Sequence, residues 1–87
     1  MEKEIKLLHD IETILIELHN SNRSELFKKG HEKIEEFKNL GGNKEIAYNT
    51  VYKLHLKYMN TDESKMDLVD DWLDCIAGCY SGNNIQW

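Results

Sequence analysis

The side chains with chemical potential in this 87-residue chain are a run of aspartates, one pair of cysteines and four scattered histidines. Asp70-Asp71-Trp72-Leu73-Asp74 has the spacing of an aspartate-rich motif that holds magnesium diphosphate. That chemistry needs a second acidic cluster across a deep cavity, and 87 residues supply neither. Cys75 and Cys79 stand four apart, on one face of a helix, where two thiolates could form half of a tetrahedral zinc site. Both fall in an apolar arc, so they are expected to be free, core-packed thiols and no metal or other cofactor is expected. A disulfide within one intact helical turn would be strained. His55 lies among Tyr48, Val51 and Tyr58 as a core or boundary histidine, while His9, His19 and His31 fall at face edges. No Ser-His-Asp or Cys-His spacing, Walker loop or Gly-x-Gly-x-x-Gly is present, and no catalytic residue is assigned.

Four helices must position these groups. Ile5 to Leu18 places Leu7, Leu8, Ile11, Ile14, Leu15 and Leu18 on one face at ~100° per residue. A second helix, opened by an Asn22/Glu25 capping box, turns Leu26, Phe27, Gly30, Ile34, Phe37 and Leu40 inward and stops at Gly41-Gly42. Gly30 on that inward face predicts close approach by a neighbouring helix. Asn43 caps a third helix that runs to about Met59, with Ala47, Val51, Leu54 and Tyr58 inward and Tyr48, Tyr52, His55 and Met59 on one shoulder. Thr61 or Ser64 caps a fourth, reaching Tyr80 and stopped by Ser81-Gly82-Asn83-Asn84, and the Ile85-Gln86-Trp87 tail is expected to fold back. Short breaks between helices of four to five turns predict one domain over residues 1–87, an all-α, up-down antiparallel four-helix bundle.

Charge is unevenly placed on this frame. Residues 1–60 hold ten acidic and ten basic side chains, so the net charge of −5 arises entirely from the segment after them. There Asp62, Glu63, Asp67, Asp70, Asp71 and Asp74 face a single lysine, Lys65. On a helical wheel Asp67, Asp70, Asp71 and Asp74 share an arc of about 100°. Like charges at i,i+4 repel by roughly 0.2–0.5 kcal/mol per pair. The helix macrodipole accounts for Asp62, Glu63 and Asp67, but poorly for Asp71 and Asp74, two turns in. A solvated face with no partner is one reading; a face for a basic partner is the other. Tyr48, Tyr52 and Trp72 border the same region as aromatic anchors.

The acidic balance and dispersed lysines exclude direct binding to a phosphate backbone. No apolar run approaches the ~20 residues that span a bilayer, the start carries no signal-peptide pattern, and two cysteines suit a reducing cytoplasm. Size, acidity and helical build together resemble the small immunity proteins that protect bacteria from nuclease bacteriocins and contact-delivered toxins. The Tyr-Tyr-Pro of the colicin-nuclease immunity proteins, on a very short third helix, is missing from this proline-free chain, so no residue is carried over. The resemblance implies a non-enzymatic inhibitor, a monomer or weak homodimer, that caps a basic toxin domain of nuclease type. Asp67, Asp70, Asp71 and Asp74 would be its charged contacts, and Tyr48, Tyr52 and Trp72 its anchors. The alternatives are a phage or mobile-element regulator that binds a host protein or mimics nucleic acid, and a small magnesium-dependent nucleotide pyrophosphohydrolase. The hydrolase would use Glu32 and Glu35, which the wheel turns away from the core.

Overall fold

A computed structural model describes residues 2–19, 21–78, 85 and 87. Its elements are α1 (Glu2–Ile16), α2 (Arg23–Asn39), α3 (Lys44–Tyr58) and α4 (Glu63–Ala77), with no strand among the described residues. The expected all-α four-helix bundle is therefore the fold. Successive helices alternate in direction. Lys6 meets Glu36 at 3.2 Å, joining the start of α1 to the end of α2, and the Lys65 ammonium lies 5.3 Å from the Tyr58 ring where α3 turns into α4. The two hairpins then pack side by side, α1 on α3 and α2 on α4, so the circuit of neighbours is α1–α2–α4–α3. Neighbours across the hairpins run in the same direction, as Lys57 at the end of α3 shows by pairing with Glu12 at 2.8 Å.

The helix ends depart from the sequence reading in instructive ways. Asn22 does not cap α2 with its side chain. Its amide instead donates to the Glu17 carbonyl at 2.7 Å and accepts from the His19 N–H at 2.8 Å. It thus ties down the turn that follows α1, satisfying the Glu17 carbonyl just past the helix end, which falls two residues earlier than expected. Asn43 caps α3 as expected, accepting from the Ile46 N–H at 2.8 Å. Asp62, rather than Thr61 or Ser64, caps α4 by accepting from the Lys65 N–H. The Thr61 hydroxyl turns back to the Lys57 carbonyl. α4 stops at Ala77 because Gly78 takes the left-handed conformation at φ 84°. α4 therefore ends three residues short of the expected Tyr80, and the expected stop at 81–84 lies outside the described residues. In the tail the docked residue is Ile85, buried and donating its N–H to the Cys75 carbonyl at 3.1 Å, while Trp87 is exposed.

The core follows the predicted faces: Leu7, Ile11, Ile14 and Leu15 from α1, Leu26, Ile34 and Phe37 from α2, and Val51 and Leu54 from α3 are all buried. Leu8, Leu18 and Phe27 sit half-buried at its edge, and Leu40, expected inward, is exposed just beyond α2. The centre of the α2–α4 contact is Trp72, which has no solvent exposure. Its Nε1–H donates to the Phe27 carbonyl at 3.0 Å, and its ring lies flush against the backbone at Gly30. A Cβ at position 30 would stand 2.2 Å from Trp72 Cε2 and Cζ2.

Gly30→Ala therefore sets two effects against each other. Helix propensity alone raises stability by up to ~1 kcal/mol, whereas forcing a methyl into a filled core costs about 1–3 kcal/mol. The expected outcome of urea denaturation is a lower midpoint for Gly30→Ala, with a smaller loss in a Trp72→Phe background, where the ring is narrower. A raised midpoint in the parent background would mean that the two helices are not in contact here.

Candidate protein-binding face

α4 shows the four aspartates as an arc with two edges and a crest. Asp70 and Asp71 form the edges and are half-buried; Asp67 and Asp74 stand exposed between them. Each edge residue has found an in-chain partner. Asp71 pairs with Arg23 of α2 at 2.5 Å, and Asp70 accepts from His55 Nδ1 of α3 at 2.6 Å. The arc that looked uncompensated in sequence is therefore half compensated by residues 48 and 15 positions away. Asp67 and Asp74 make no side-chain ion pair among the described residues. Their surroundings differ. Asp67 lines a polar cleft of about 430 Å³ with Arg23 and Lys65. Asp74 lies one turn beyond Asp70 along α4, toward Ala77, which borders a shallow hollow beside Tyr48.

Across from this edge, α3 presents a column of rings. Tyr48 and Tyr52 are stacked with centroids 6.2 Å apart and planes 12° apart. Tyr52 stacks in turn on His55, at 5.2 Å and 14°. His55 thus joins the column to Asp70, and the carboxylate at its Nδ1 fixes the ring orientation. Both tyrosines are more than one-third exposed. They stand at i,i+4 on the outward face of α3, as the wheel predicts. Trp72, the third expected anchor, is instead fully buried against α2, its Nε1–H on the Phe27 carbonyl, and has no exposed surface to offer a partner. Trp72 stands inside the apolar arc of α4, opposite the aspartates, and the small Gly30 makes room for its ring.

Residues absent from the sequence reading of the site join it. His55, expected as a core or boundary histidine, is half-buried at the boundary, between Tyr52 and Asp70. Leu56 and Met59 continue the outward face of α3, 52 % and 46 % exposed. The signal for them was available: their spacing from Tyr52, four and seven residues, repeats the helical period.

Metal chemistry finds little to work with. Among the described residues no three His, Cys, Asp or Glu side chains converge on a common point. Glu32 and Glu35 are exposed, and Glu35 faces His31 at 3.9 Å. Cys75 is buried and free, and Cys79 lies outside the described residues. Burial pushes the Cys75 thiol up from its ordinary 9.0 to about 11, with the Asp71 and Asp74 charges adding to the shift. A thiol held neutral is a poor nucleophile.

The raised value has a sign for stability. The folded state holds its thiol proton more tightly, so the contribution is complete below pH 9, where the unfolded thiol is also neutral. It is lost as pH rises from 9 toward about 11. In a Cys79→Ser background, Cys75 is expected to react with iodoacetamide at pH 8 only at the rate of global unfolding, and Cys75→Ala is expected to flatten the alkaline fall in stability. Rapid native-state alkylation would contradict the burial. Comparison with protein families, with curated proteins and with solved structures finds no match to this chain, so its site stands on its own chemistry.

Proposed function

We propose that this chain is a binding protein that neutralises a basic protein partner through the face shared by α3 and α4, acting as an immunity protein or inhibitor of a toxin, of nuclease type. The observation that carries the reading is the stacked Tyr48–Tyr52–His55 column rimmed by the acidic edge of α4, with Asp70 bound to the column and Asp74 exposed one turn further along α4. Exposed tyrosines supply large contact area at little conformational cost, and they are frequent anchors in interfaces. A carboxylate rim beside them attracts cations and repels anions, which selects a basic partner and speeds its approach. The whole chain reinforces this with its net charge of −5.

The division of the aspartates refines which charges matter. Asp71 is committed to Arg23 on the α2 side, away from the tyrosines. Asp74 is exposed, without an ion pair among the described residues, and on the tyrosine side. A nucleic-acid mimic is less well supported, since an array of phosphate-like charges loses two of its four members to Arg23 and His55. No helix among the described residues is long and apolar enough to cross a membrane, so a membrane-spanning role draws no support.

The test is genetic and then quantitative. Each reading frame adjacent to this one is expressed alone and together with the chain. One is expected to arrest growth, and the chain to relieve the arrest. With that purified pair, Tyr52→Ala is expected to raise Kd by ~30-fold or more, chiefly through faster dissociation. Asp74→Lys should slow association and reduce its salt dependence, while Asp67→Lys, equally exposed but beside the Arg23 cleft, should do less. Protection that survives both Tyr52→Ala and Asp74→Lys, or the lack of any toxic neighbour, would overturn the proposal.

A further inference from the structure

α3 is apolar on two sides. Ala47, Val51 and Leu54 face the core and are buried. On the outer side Tyr48, Tyr52, Leu56 and Met59 are all at least 36 % exposed, and no other helix of the bundle carries so many large apolar side chains outward. Tyr48, Tyr52, His55 and Met59 are spaced four, three and four residues apart. That is the spacing with which one helix receives the side chains of another along a seam. Leu56 widens the seam on one flank. From Tyr48 to Met59 it runs for three turns, about 16 Å at a helical rise. An outward surface of this length is more than the scattered apolar residues that any soluble protein exposes.

The two flanks of the seam differ in charge. On the α4 side stand Asp70, joined to His55, and Asp74. On the α1 side Lys57 is held by Glu12 at 2.8 Å, and that carboxylate raises the lysine's affinity for its proton. The α1-side flank, where Lys53 also stands exposed one turn before Lys57, thereby carries no net negative charge, whereas the α4-side flank carries Asp70 and Asp74, with Lys44 at its far end beside Tyr48 and Ala77. An occupant that satisfies both the seam and the flanks has apolar residues at i, i+3 or i+4, and i+7, with positive residues on one side only.

We propose that the α3 seam is the docking site for an amphipathic α-helix of a basic protein, with lysine or arginine along the flank that meets Asp70 and Asp74. The inference rests on reading the α3–α4 face as an interface to a basic protein, but not on that protein being a toxin. A helix fits the periodicity of the seam, whereas strand addition would need a sheet edge, and the described residues have none. A second copy of this chain fits the seam but not the charge, since it brings five further negative charges to an acidic rim. A basic helix removes that repulsion.

The test uses the full chain, immobilised, and two libraries of peptides of equal length: one helical with randomised surface positions, one unstructured. The expected result is enrichment from the helical library of sequences with one apolar stripe and a single basic flank. Their affinity should fall at least tenfold on Met59→Glu and on Tyr52→Ala, both surface changes whose helix content is checked by circular dichroism. Enrichment of extended or acidic sequences, affinity indifferent to both substitutions, or no enrichment from either library would overturn the proposal. Sedimentation supplies the remaining arm: a reversible dimer abolished by Met59→Glu would assign the seam to a second copy and overturn it too. Loss of toxin protection in the genetic test leaves these outcomes untouched, so the two readings fail separately.

Discussion

The fit of Trp72 into the space left by Gly30 sets the arrangement of everything outside it. A helix is free to roll about its axis until something fixes it, and the indole ring fixes α4. With its Nε1–H on the Phe27 carbonyl and its face on the α2 backbone, α4 has one permitted roll. The opposite side of α4 must then face solvent, and that is the aspartate arc. Its two edges fall against α2 and α3, where Arg23 and His55 meet them. One contact in the core thus determines which carboxylates are bound and which are left to the surface. The arrangement is also economical in hydrogen bonds, since among the described residues no buried side-chain polar atom lacks a partner.

This changes the meaning of the net charge. Four aspartates on neighbouring turns look like stored repulsion in the sequence, and in an isolated helix they would be. In the bundle, each edge residue is tied across to a neighbouring helix, so the clustering is partly structural. Exposed pairs such as Arg23–Asp71 contribute little individually, with typical values of about 0–1 kcal/mol. Their larger effect is on where charge remains. They draw charge out of both edges of the arc and leave the unmet carboxylates of Asp67 and Asp74 on its crest.

Much of the fold was legible because the helical period is written in its apolar residues. Leu7, Ile11, Ile14 and Leu15, and Val51 and Leu54, could be placed inward from spacing alone, and Gly30 signalled a close neighbour before the neighbour was known. Caps were less legible, since Asn22 and Asp62 could each satisfy groups on either side of them. Asn22 was claimed by the end of α1, a choice set by the local geometry of the turn and not by residue type. The site was only half legible. Tyr48 and Tyr52 followed from the wheel, whereas Trp72 was misassigned as an anchor although its wheel position lies inside the apolar arc, opposite the aspartates. The pairing of Asp70 with His55 and Asp71 with Arg23 depends on which helices are neighbours, and periodicity holds no information on that.

The same distinction explains α3, whose period is clear but whose direction of burial is blurred. A helix that is apolar on one side tells the reader where the core is. α3 is apolar on two, so its inward residues, Ala47, Val51, Leu54 and Tyr58, are told from the outward Tyr48, Tyr52, Leu56 and Met59 by wheel position and not by residue type. Folding gains only part of what full burial of the outward set would give, because each Å² of apolar surface left wet forgoes about 25 cal/mol, and Leu56 and Met59 stay about half exposed. A covering partner would recover the rest. Combined with the carboxylates of α4, the outward set describes an interface with a direction: apolar along its length, negative on one flank and without net negative charge on the other.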